Sequence, residues 1–315
     1  MKDITIVTFI SNNEKINEDF FTFCNLCKDD FNVEAIVFSD KNININDKSI
    51  KLIIKSNTTK YIRIIQSIKI ANSNNILFVD NDIIINHENL KKLIKIFNNS
   101  NNKIAWGKIK SQKVKGIVPN LIKIDKNLSH DFIRPILWKI KLGISVPGQI
   151  FLIKRDVFLE KLPNIDTVYD DLTIGMIARK NNFEVYYSNL ILGEEYPKGN
   201  FVNLLKQRKR WAKGMAQSVQ NSKKINMTKF VIIHAFMYHL LWIIFYLLLI
   251  LIGIYSLPIA SIIFLLICIM LSEFHIKDVL WSFIYMITFP IIHSIWLINF
   301  VKYCIYEKNF YRNNK

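Results

Sequence analysis

The chain has 315 residues and a formal net charge of +17, and 51% of its residues are hydrophobic. The length allows one large domain or two, and the concentration of apolar residues towards the C-terminus excludes a purely soluble class. The basic residues crowd beside the apolar segments and between residues 103 and 141, without an interleaved array of aromatics. Anionic lipid headgroups explain this charge more simply than nucleic acid, so we expect membrane lipids and no nucleic acid among the partners.

The first 80 residues alternate apolar runs with amphipathic helical patterns, which predicts an α/β domain with a largely parallel sheet. The predicted strands cover residues 4–9, 33–38, 51–54 and 76–79, and the predicted helices lie around residues 17–28 and 60–71. In open sheets of this kind ligands gather at the carboxyl ends of the strands, where Ser11, Asp40 and Asp80 lie. The domain has neither a G-x-G-x-x-G sequence nor a Walker loop, so a bound metal is the natural substitute for a glycine cradle around phosphates.

An acidic triplet follows the fourth predicted strand. Asp80 and Asp82 leave the strand end with one residue between them, close enough to share a divalent ion and its bound diphosphate. Oxygen ligands of this kind suit Mg²⁺ or Mn²⁺. The alternative is an ordinary turn, because Asp-Asn-Asp is also a common turn sequence.

A second acidic pair precedes a helical pattern. Asp170 and Asp171 open a periodic apolar run, so they are predicted to lie at the start of a helix. Helix capping explains one carboxylate at such a place. Two are more than capping needs, and one of them is a candidate general base for an attacking hydroxyl.

Two further segments combine basic and aromatic residues. The segment 131–142 has an apolar face and a basic face, which is typical either of a membrane-interface helix or of a surface helix packed on the sheet. Gln207, Arg210 and Trp211 lie within one helical turn. They suit a polybasic anchor with an interfacial tryptophan, or a site where an arginine fork binds a diphosphate and an indole stacks on a sugar.

The C-terminal third is predicted to be a membrane domain. Residues 230–272 and 279–301 contain no Asp, Glu, Lys or Arg, and a span takes about 20 residues. We expect spans at about 230–251, 255–272 and 279–301. Nine Lys or Arg and no acid lie between residues 198 and 229, which predicts a cytoplasmic location for the preceding region. The N-terminal apolar run is too short for a signal peptide. Three spans would place the basic C-terminus outside, although basic residues favour the cytoplasmic side, so the predicted number of spans stays open by one.

Cysteines and histidines give no further site. Cys24 and Cys27 lie three apart in a helical pattern without a second ligand pair, which favours buried free thiols over a metal or redox site. His87, His234 and His239 are interpreted as structural.

Taken in order, these motifs resemble the family-two glycosyltransferases, which are inverting enzymes with the A-type glycosyltransferase fold. The likeness is strongest to their membrane branch, which contains cellulose, chitin and hyaluronan synthases and ceramide glucosyltransferase. It covers residues 1 to about 215. The matching stretches are Asn13-Glu14, Asp40, Phe78-Val79-Asp80-Asn81-Asp82, Pro147-Gly148-Gln149 leading into Lys154-Arg155, Asp170-Asp171, Glu195-Tyr196-Pro197 and Gln207 to Trp211.

The resemblance implies a cytoplasmic transferase domain over residues 1–215, with a nucleotide-binding mixed, mainly parallel sheet and flanking helices, and a membrane domain over residues 216–315. It implies an integral membrane enzyme, placed in the plasma membrane of a prokaryote. That enzyme would move a sugar from a nucleotide-sugar, expected to be a UDP-sugar, to a lipid or glycan acceptor with inversion.

The resemblance also assigns roles to the motif residues. Asp171, beside Asp170, would be the general base. The base of the donor would contact Asp40, and other parts of the donor would contact Asp80, Gln207 and Arg210. Asp82, with Asp80, would hold Mg²⁺ or Mn²⁺. The acceptor side would include Trp211, Gly148 and Gln149.

Two departures and two alternatives accompany this assignment. The first strand lacks the family's usual proline and has Thr8-Phe9-Ile10-Ser11 in its place, and Ser39-Asp40-Lys41-Asn42 replaces the family's Asp-Asp-Gly-Ser. A processive polysaccharide synthase is the alternative enzyme, although three spans are few for a polymer channel. The non-enzyme alternative is a degenerate sugar-nucleotide fold whose basic face binds membrane or another anionic partner.

Overall fold

The computed structural model describes residues 2–11, 14–45, 47, 49–163, 165, 167–197 and 199–313, without the side chains of residues 2 and 306–313. Asn13, part of the resemblance, lies outside the described residues. The elements in chain order are β1 (Lys2–Ile10), α1 (Glu18–Cys27), β2 (Phe31–Ser39), β3 (Ile50–Ile54), α2 (Lys60–Ile70), β4 (Asn75–Val79), β5 (Ile83–Ile85), α3 (His87–Asn98), β6 (Ile104–Ser111), α4 (Ile117–Asn127), a π-helical segment (Leu128–Ile133), α5 (Arg134–Lys139), β7 (Ile150–Lys154), α6 (Arg155–Leu159), α7 (Asp170–Lys180), β8 (Val185–Glu195), α8 (Phe201–Lys224), α9 (Thr228–His239), α10 (Leu241–Tyr255), α11 (Leu257–Leu271) and α12 (Ile276–Asn313).

The chain divides into two compact units. The first comprises Met1–Lys110 and Ile144–Glu195, and the second comprises Ser111–Gly143 and Tyr196–Lys315. The sequence places one boundary near residue 215. In the structure, residues 111–143 instead group with the C-terminal helices.

The first unit contains a mixed eight-stranded sheet in the order β3-β2-β1-β4-β7-β6-β8-β5. Parallel pairing joins β3, β2, β1 and β4, as the alternation of strands and helices predicts. The pairs β4–β7, β6–β7 and β5–β8 are antiparallel. β1 and β4 consist almost wholly of buried residues, because helices that cover both faces of a sheet require strands without a polar face. The sheet with flanking helices is therefore confirmed, although parallel order ends at β4.

The second unit is helical and contains an ion pair with a buried arginine. Arg208 of α8 is 3% exposed, and its Nη2 donates to Asp125 Oδ2 of α4 at 2.5 Å. The Tyr285 hydroxyl of α12 donates to Asp125 Oδ1 at 2.9 Å. Apolar side chains of α4, α8, α11 and α12 pack around this group. This charge pair and its additional hydrogen bond fix the register of α4, α8 and α12.

The predicted spans fall on helices of unequal length. Within α12, Ile276–Ile305 is 30 residues long with a mean hydropathy of 1.7, which is enough to cross a bilayer. α9 and α10 meet at a bend of 51° and pass the same test only together, whereas α11 has 15 residues. By length and composition, the described residues thus contain one helix able to span a membrane, or two if the bent pair is one span.

The long helix α12 contains Pro290, whose ring nitrogen cannot donate to the carbonyl four residues earlier. That carbonyl belongs to Met286, and the Tyr246 hydroxyl of α10 donates to it. The hydroxyl therefore satisfies the acceptor that the proline leaves unpaired. On α5 and in the two residues after it, Ile136 and Ile140 are exposed beside Lys139 and Lys141, while Leu137 is buried.

Candidate active site

The acidic triplet lies where β4 ends. The Asp80 backbone N–H donates to Gln149 O at 2.8 Å, because β4 pairs antiparallel with β7. Asn81 is buried, and its side chain accepts a hydrogen bond from Asn17 N and donates one to Lys15 O, both at 2.8 Å. The middle residue of the triplet is therefore structural, and it fixes the backbone between the two aspartates.

The second acidic pair begins α7, which confirms the predicted helix start. Tyr169 occupies the N-cap position, so neither aspartate is the capping residue. Asp170 is 9% exposed, and Asp171 Oδ1 accepts a hydrogen bond from Leu172 N at 2.8 Å. A Cβ atom added to Gly148 would lie 3.3 Å from Asp171 Cβ, so the loop before β7 lies directly against this aspartate.

Lys60 connects the two acidic pairs, although the sequence reasoning did not single it out. Its ammonium lies 2.6 Å from Asp80 Oδ1 and 3.4 Å from Asp170 Oδ2, and it donates to Gly148 O at 2.8 Å. Lys60 is the first residue of α2, where the helix dipole disfavours a cation. This unfavourable position was the one signal in the sequence that could have found it.

The charges of this cluster are unbalanced. Partial burial raises the pKa of Asp80 to about 7; the Lys60 ammonium acts against this shift, while the Asp170 and Asp82 carboxylates add to it. Removal from water disfavours the Lys60 ammonium, but Asp170, Asp80 and Asp171 outweigh this effect and raise its pKa above the usual range. Three carboxylates thus act on one ammonium, and the excess negative charge suits a further cation.

The carboxylates of Asp80 and Asp82 fit a divalent ion of the magnesium type. Among the described residues, no group of three or more His, Cys, Asp or Glu side chains has metal-site geometry. Mg²⁺ commonly takes one or two carboxylates together with substrate phosphates, and it does not require a complete protein cage. The two aspartates and the excess negative charge around them therefore fit an ion that a bound diphosphate helps to hold.

Asp40 follows β2 and is paired with a buried arginine. Arg63 of α2 is 5% exposed, and its Nη2 donates to Asp40 Oδ1. The same guanidinium also donates to groups near the ends of β1 and β3. Sequence reasoning missed this partner, because nothing in the sequence distinguishes Arg63 from the other basic residues of α2.

Gln149 is held at the start of β7. Its Nε2 donates to Glu195 Oε2 at 2.9 Å, which joins two of the stretches that carry the family resemblance. The first unit thus brings together Asp80, Asp170, Asp171, Gly148 and Gln149 at the carboxyl end of β4.

The Gln207-to-Trp211 stretch lies on α8 in the second unit. Gln207 and Trp211 are half-buried, and Arg210 is exposed. The Arg208 guanidinium lies 4.3 Å from the centre of the Trp211 ring, which gives the indole a cation–π partner. Arg208 therefore has a structural role that separates it from Arg210.

His87, His239 and the two cysteines of α1 have structural surroundings. His87 Nε2 lies 2.6 Å from Asp19 Oδ1, and His239 Nδ1 lies 3.1 Å from His293 Nδ1. Cys24 and Cys27 are buried in the core of the first unit, and burial raises the pKa of the Cys27 thiol to about 12.

Gly175 determines where α7 lies and so where Asp170 and Asp171 stand. A Cβ atom at this position would come within 2.1 Å of Ile144 O, a backbone atom that cannot move aside without shifting the chain. We expect Gly175→Ala to destabilise the protein by about 1–3 kcal/mol through overpacking and to displace the aspartates. Thermal unfolding measures the first effect. Gly199→Ala is the matched control because nothing lies within 4 Å of its Cβ position, and equal unfolding temperatures for the two variants would contradict the prediction.

Comparisons with known proteins identify the family. The model of the family described as "Glycosyl transferase family group 2" matches residues 75–277. No match was found among curated proteins.

Two solved structures are similar to this chain. One is the mannosyltransferase PcManGT from Pyrobaculum calidifontis in complex with GDP-Man and Mn²⁺, with 13% identity, a TM-score of 0.51, and coverage of 96% of this chain and 87% of that chain. The other is glucosyl-3-phosphoglycerate synthase from Mycobacterium tuberculosis, with 12% identity, a TM-score of 0.49, and coverage of 70% of this chain and 79% of that chain. The family model spans well over half of the 315 residues and includes both acidic pairs and the Gln207-to-Trp211 stretch. The chain therefore belongs to glycosyl transferase family group 2.

Proposed function

We propose that this protein is a membrane-bound, inverting glycosyltransferase that transfers a sugar from a nucleotide-sugar to a lipid acceptor. The convergence of Asp80, Asp170 and Asp171 on Lys60 at the end of a sheet strand carries the proposal. Membership of the family supports the reaction class. PcManGT and glucosyl-3-phosphoglycerate synthase have been solved with a nucleotide-sugar and Mn²⁺, which supports a nucleotide-sugar donor and a divalent ion here.

The reaction is a single displacement at the anomeric carbon. Asp171 takes the proton of the acceptor hydroxyl while the hydroxyl oxygen bonds to the anomeric carbon. The bond between that carbon and the diphosphate oxygen breaks, and the nucleoside diphosphate leaves. Gly148 borders Asp171, and Gly148 with the adjacent Gln149 would contact the acceptor. Attack from the side opposite the leaving group inverts the anomeric configuration.

The leaving diphosphate needs positive charge. The ammonium of Lys60, which lies beside Asp80, is a cation that can contact the leaving diphosphate. Mg²⁺ or Mn²⁺ held by Asp82 and Asp80 would supply further charge stabilisation of the leaving group. We assign Gln207 and Arg210 to the donor and Trp211 to the acceptor, since an arginine fork suits phosphates and an indole face suits a sugar ring.

The membrane location and the lipid acceptor rest on the C-terminal helices. The apolar stretch Ile276–Ile305 is long enough to cross a bilayer. The basic residues between 198 and 229 favour a cytoplasmic side for the transferase, in the plasma membrane of a prokaryote. An acceptor that is itself a lipid would reach such an enzyme by lateral diffusion.

The test is release of nucleoside diphosphate from a panel of UDP- and GDP-sugars by detergent-purified protein with membrane lipid extract. We expect turnover of one donor with Mn²⁺ or Mg²⁺, loss of turnover with chelator, and a product heavier by one sugar. Asp82→Asn should lower turnover at least tenfold, because it removes a charged metal ligand. Asp156→Asn, a change at an exposed carboxylate on α6, should have no effect. Turnover that is indifferent to chelator and to Asp82→Asn would refute the metal role, and no turnover of any donor would refute the transferase.

A further inference from the structure

The guanidinium of Arg208 lies inside the second unit beside two aromatic rings. Arg208 is 3% exposed, and its guanidinium carbon lies 4.3 Å from the centre of the Trp211 ring and 5.5 Å from the centre of the Phe289 ring of α12. Both distances are within the range in which a cation is attracted to an aromatic face. The half-buried indole of Trp211 therefore has a buried cation as its neighbour on the same helix.

A carboxylate from another helix holds this guanidinium in place. Arg208 Nη2 donates to Asp125 Oδ2 of α4 at 2.5 Å, and Asp125 Oδ1 accepts a hydrogen bond from the Tyr285 hydroxyl of α12 at 2.9 Å. Both carboxylate oxygens are thus engaged by different helices. A charge-assisted hydrogen bond to a carboxylate that a second donor orients defines where the guanidinium lies.

These contacts decide what Arg208 can do in the reaction. A guanidinium that is buried and bonded to Asp125 is not available to a diphosphate, whereas Arg210 is exposed. The aromatic ring that Arg208 contacts on its own helix is the indole of Trp211. An indole that stacks on a ligand needs a fixed ring plane, and neighbouring side chains that are themselves held in place provide it.

We propose that Asp125 and Arg208 are positioning residues that hold the Trp211 indole in the orientation that the acceptor needs. Asp125 acts through Arg208, and Tyr285 connects the same carboxylate to the apolar helix α12. This inference rests on the proposed function, in which Trp211 contacts the acceptor. It makes binding of the acceptor, and not of the donor, depend on a charge pair between α4 and α8.

The experiment is turnover by the detergent-purified full chain, with membrane lipid extract titrated at saturating donor and donor titrated at saturating extract. Asp125→Asn removes the charge that holds Arg208. It should raise the half-saturating amount of extract about tenfold, which is the worth of one desolvated cation–π contact. The kcat and the KM of the donor should not change, because Asp171 and the acidic cluster around Lys60 are untouched.

Asp278→Asn is the matched control for Asp125→Asn. Asp278 of α12 pairs with Lys123 of α4 at 2.5 Å, so this variant also breaks an ion pair of α4, but one that does not include Arg208. It should leave the half-saturating amount of extract unchanged. The unfolding temperatures of both variants show whether they have lost similar amounts of stability.

A double-mutant cycle separates positioning of the indole from general loosening of the helices. Trp211→Leu removes the indole, so adding Asp125→Asn to it should raise the half-saturating amount of extract no further. Tyr285→Phe keeps the ring and removes only the bond to Asp125, so it should shift the same quantity in the same direction by a smaller factor. If Asp125→Asn fails to fold, Tyr285→Phe replaces it in the comparison with Asp278→Asn.

Three results would overturn the inference alone. They are an equal effect in Asp125→Asn and Asp278→Asn, a fall in kcat without a change in the half-saturating amount of extract, and full additivity in the cycle with Trp211→Leu. Turnover of no donor by the wild-type protein would overturn the proposed function and the inference with it.

Discussion

Replacing Asp171 by asparagine is expected to reduce kcat by about 10²–10⁴-fold without weakening the binding of nucleoside diphosphate. A positioned general base contributes this much to proton transfer, and an amide oxygen cannot take the proton. Asparagine preserves the size of the side chain, its hydrogen bond from Leu172 N and its contact with Gly148. Donor turnover and equilibrium binding of nucleoside diphosphate, measured on the same preparation, separate the two effects.

Two other aspartates supply the controls for Asp171. Asp170→Asn removes a carboxylate that lies 3.4 Å from Lys60, so its main effect should be on donor binding. Asp156→Asn, at an exposed position, should change neither quantity. Full turnover in Asp171→Asn, together with a loss of kcat alone in Asp170→Asn, would show that Asp170 is the base and would reverse the assignment.

Local patterns in the sequence were sufficient for the first half of the sheet and for the two acidic pairs. β1, β2 and β4 are mostly apolar runs beside amphipathic helices, and such runs identify buried parallel strands, whereas no residue of β3 is fully buried. The start of α7 at Asp170 was predicted from the apolar period that follows it. These features depend on neighbours in the chain, which is why the sequence alone reveals them.

The antiparallel half of the sheet and the cationic partners could not be predicted in this way. β5 is three residues long and pairs with β8 more than a hundred positions later, so no local period identifies it. Lys60 and Arg63 gain their roles from carboxylates 20 or more positions away in the chain. In a chain with 42 Lys and Arg residues, composition cannot separate these two from solvent-exposed cations.

The same limit applies to α8. Arg208 and Arg210 look equivalent in the sequence, yet Arg208 is buried against Asp125 and Arg210 is exposed. A helix contact with α4 decides between them, and that contact spans 83 positions. The grouping of residues 111–143 with the C-terminal helices arises from the same long-range contacts.

Replacing Lys60 by methionine is expected to destabilise the first unit and to make its stability depend on divalent metal. The ammonium separates the Asp80 and Asp170 carboxylates at 2.6 and 3.4 Å, and methionine fills the volume without the charge. Removing one partner of a largely buried pair costs about 3 kcal/mol, because the remaining charges lose their counterion. In metal-free buffer the variant should therefore unfold at a clearly lower temperature than the wild-type protein.

Added Mn²⁺ should recover more stability in Lys60→Met than in the wild-type protein. The carboxylates that the ammonium has vacated bind a cation more tightly, and a ligand that binds only the folded state raises its stability. Donor turnover should stay low in the variant even with metal, since Lys60 is assigned to the leaving diphosphate. Lys69→Met, an exposed change at the other end of α2, controls for the loss of a lysine from this helix. The contradicting result is an equal rise in unfolding temperature with Mn²⁺ for Lys60→Met, Lys69→Met and the wild-type protein. The ammonium and the metal would then not share these carboxylates. Lys60 would be assigned only to holding the backbone at Gly148.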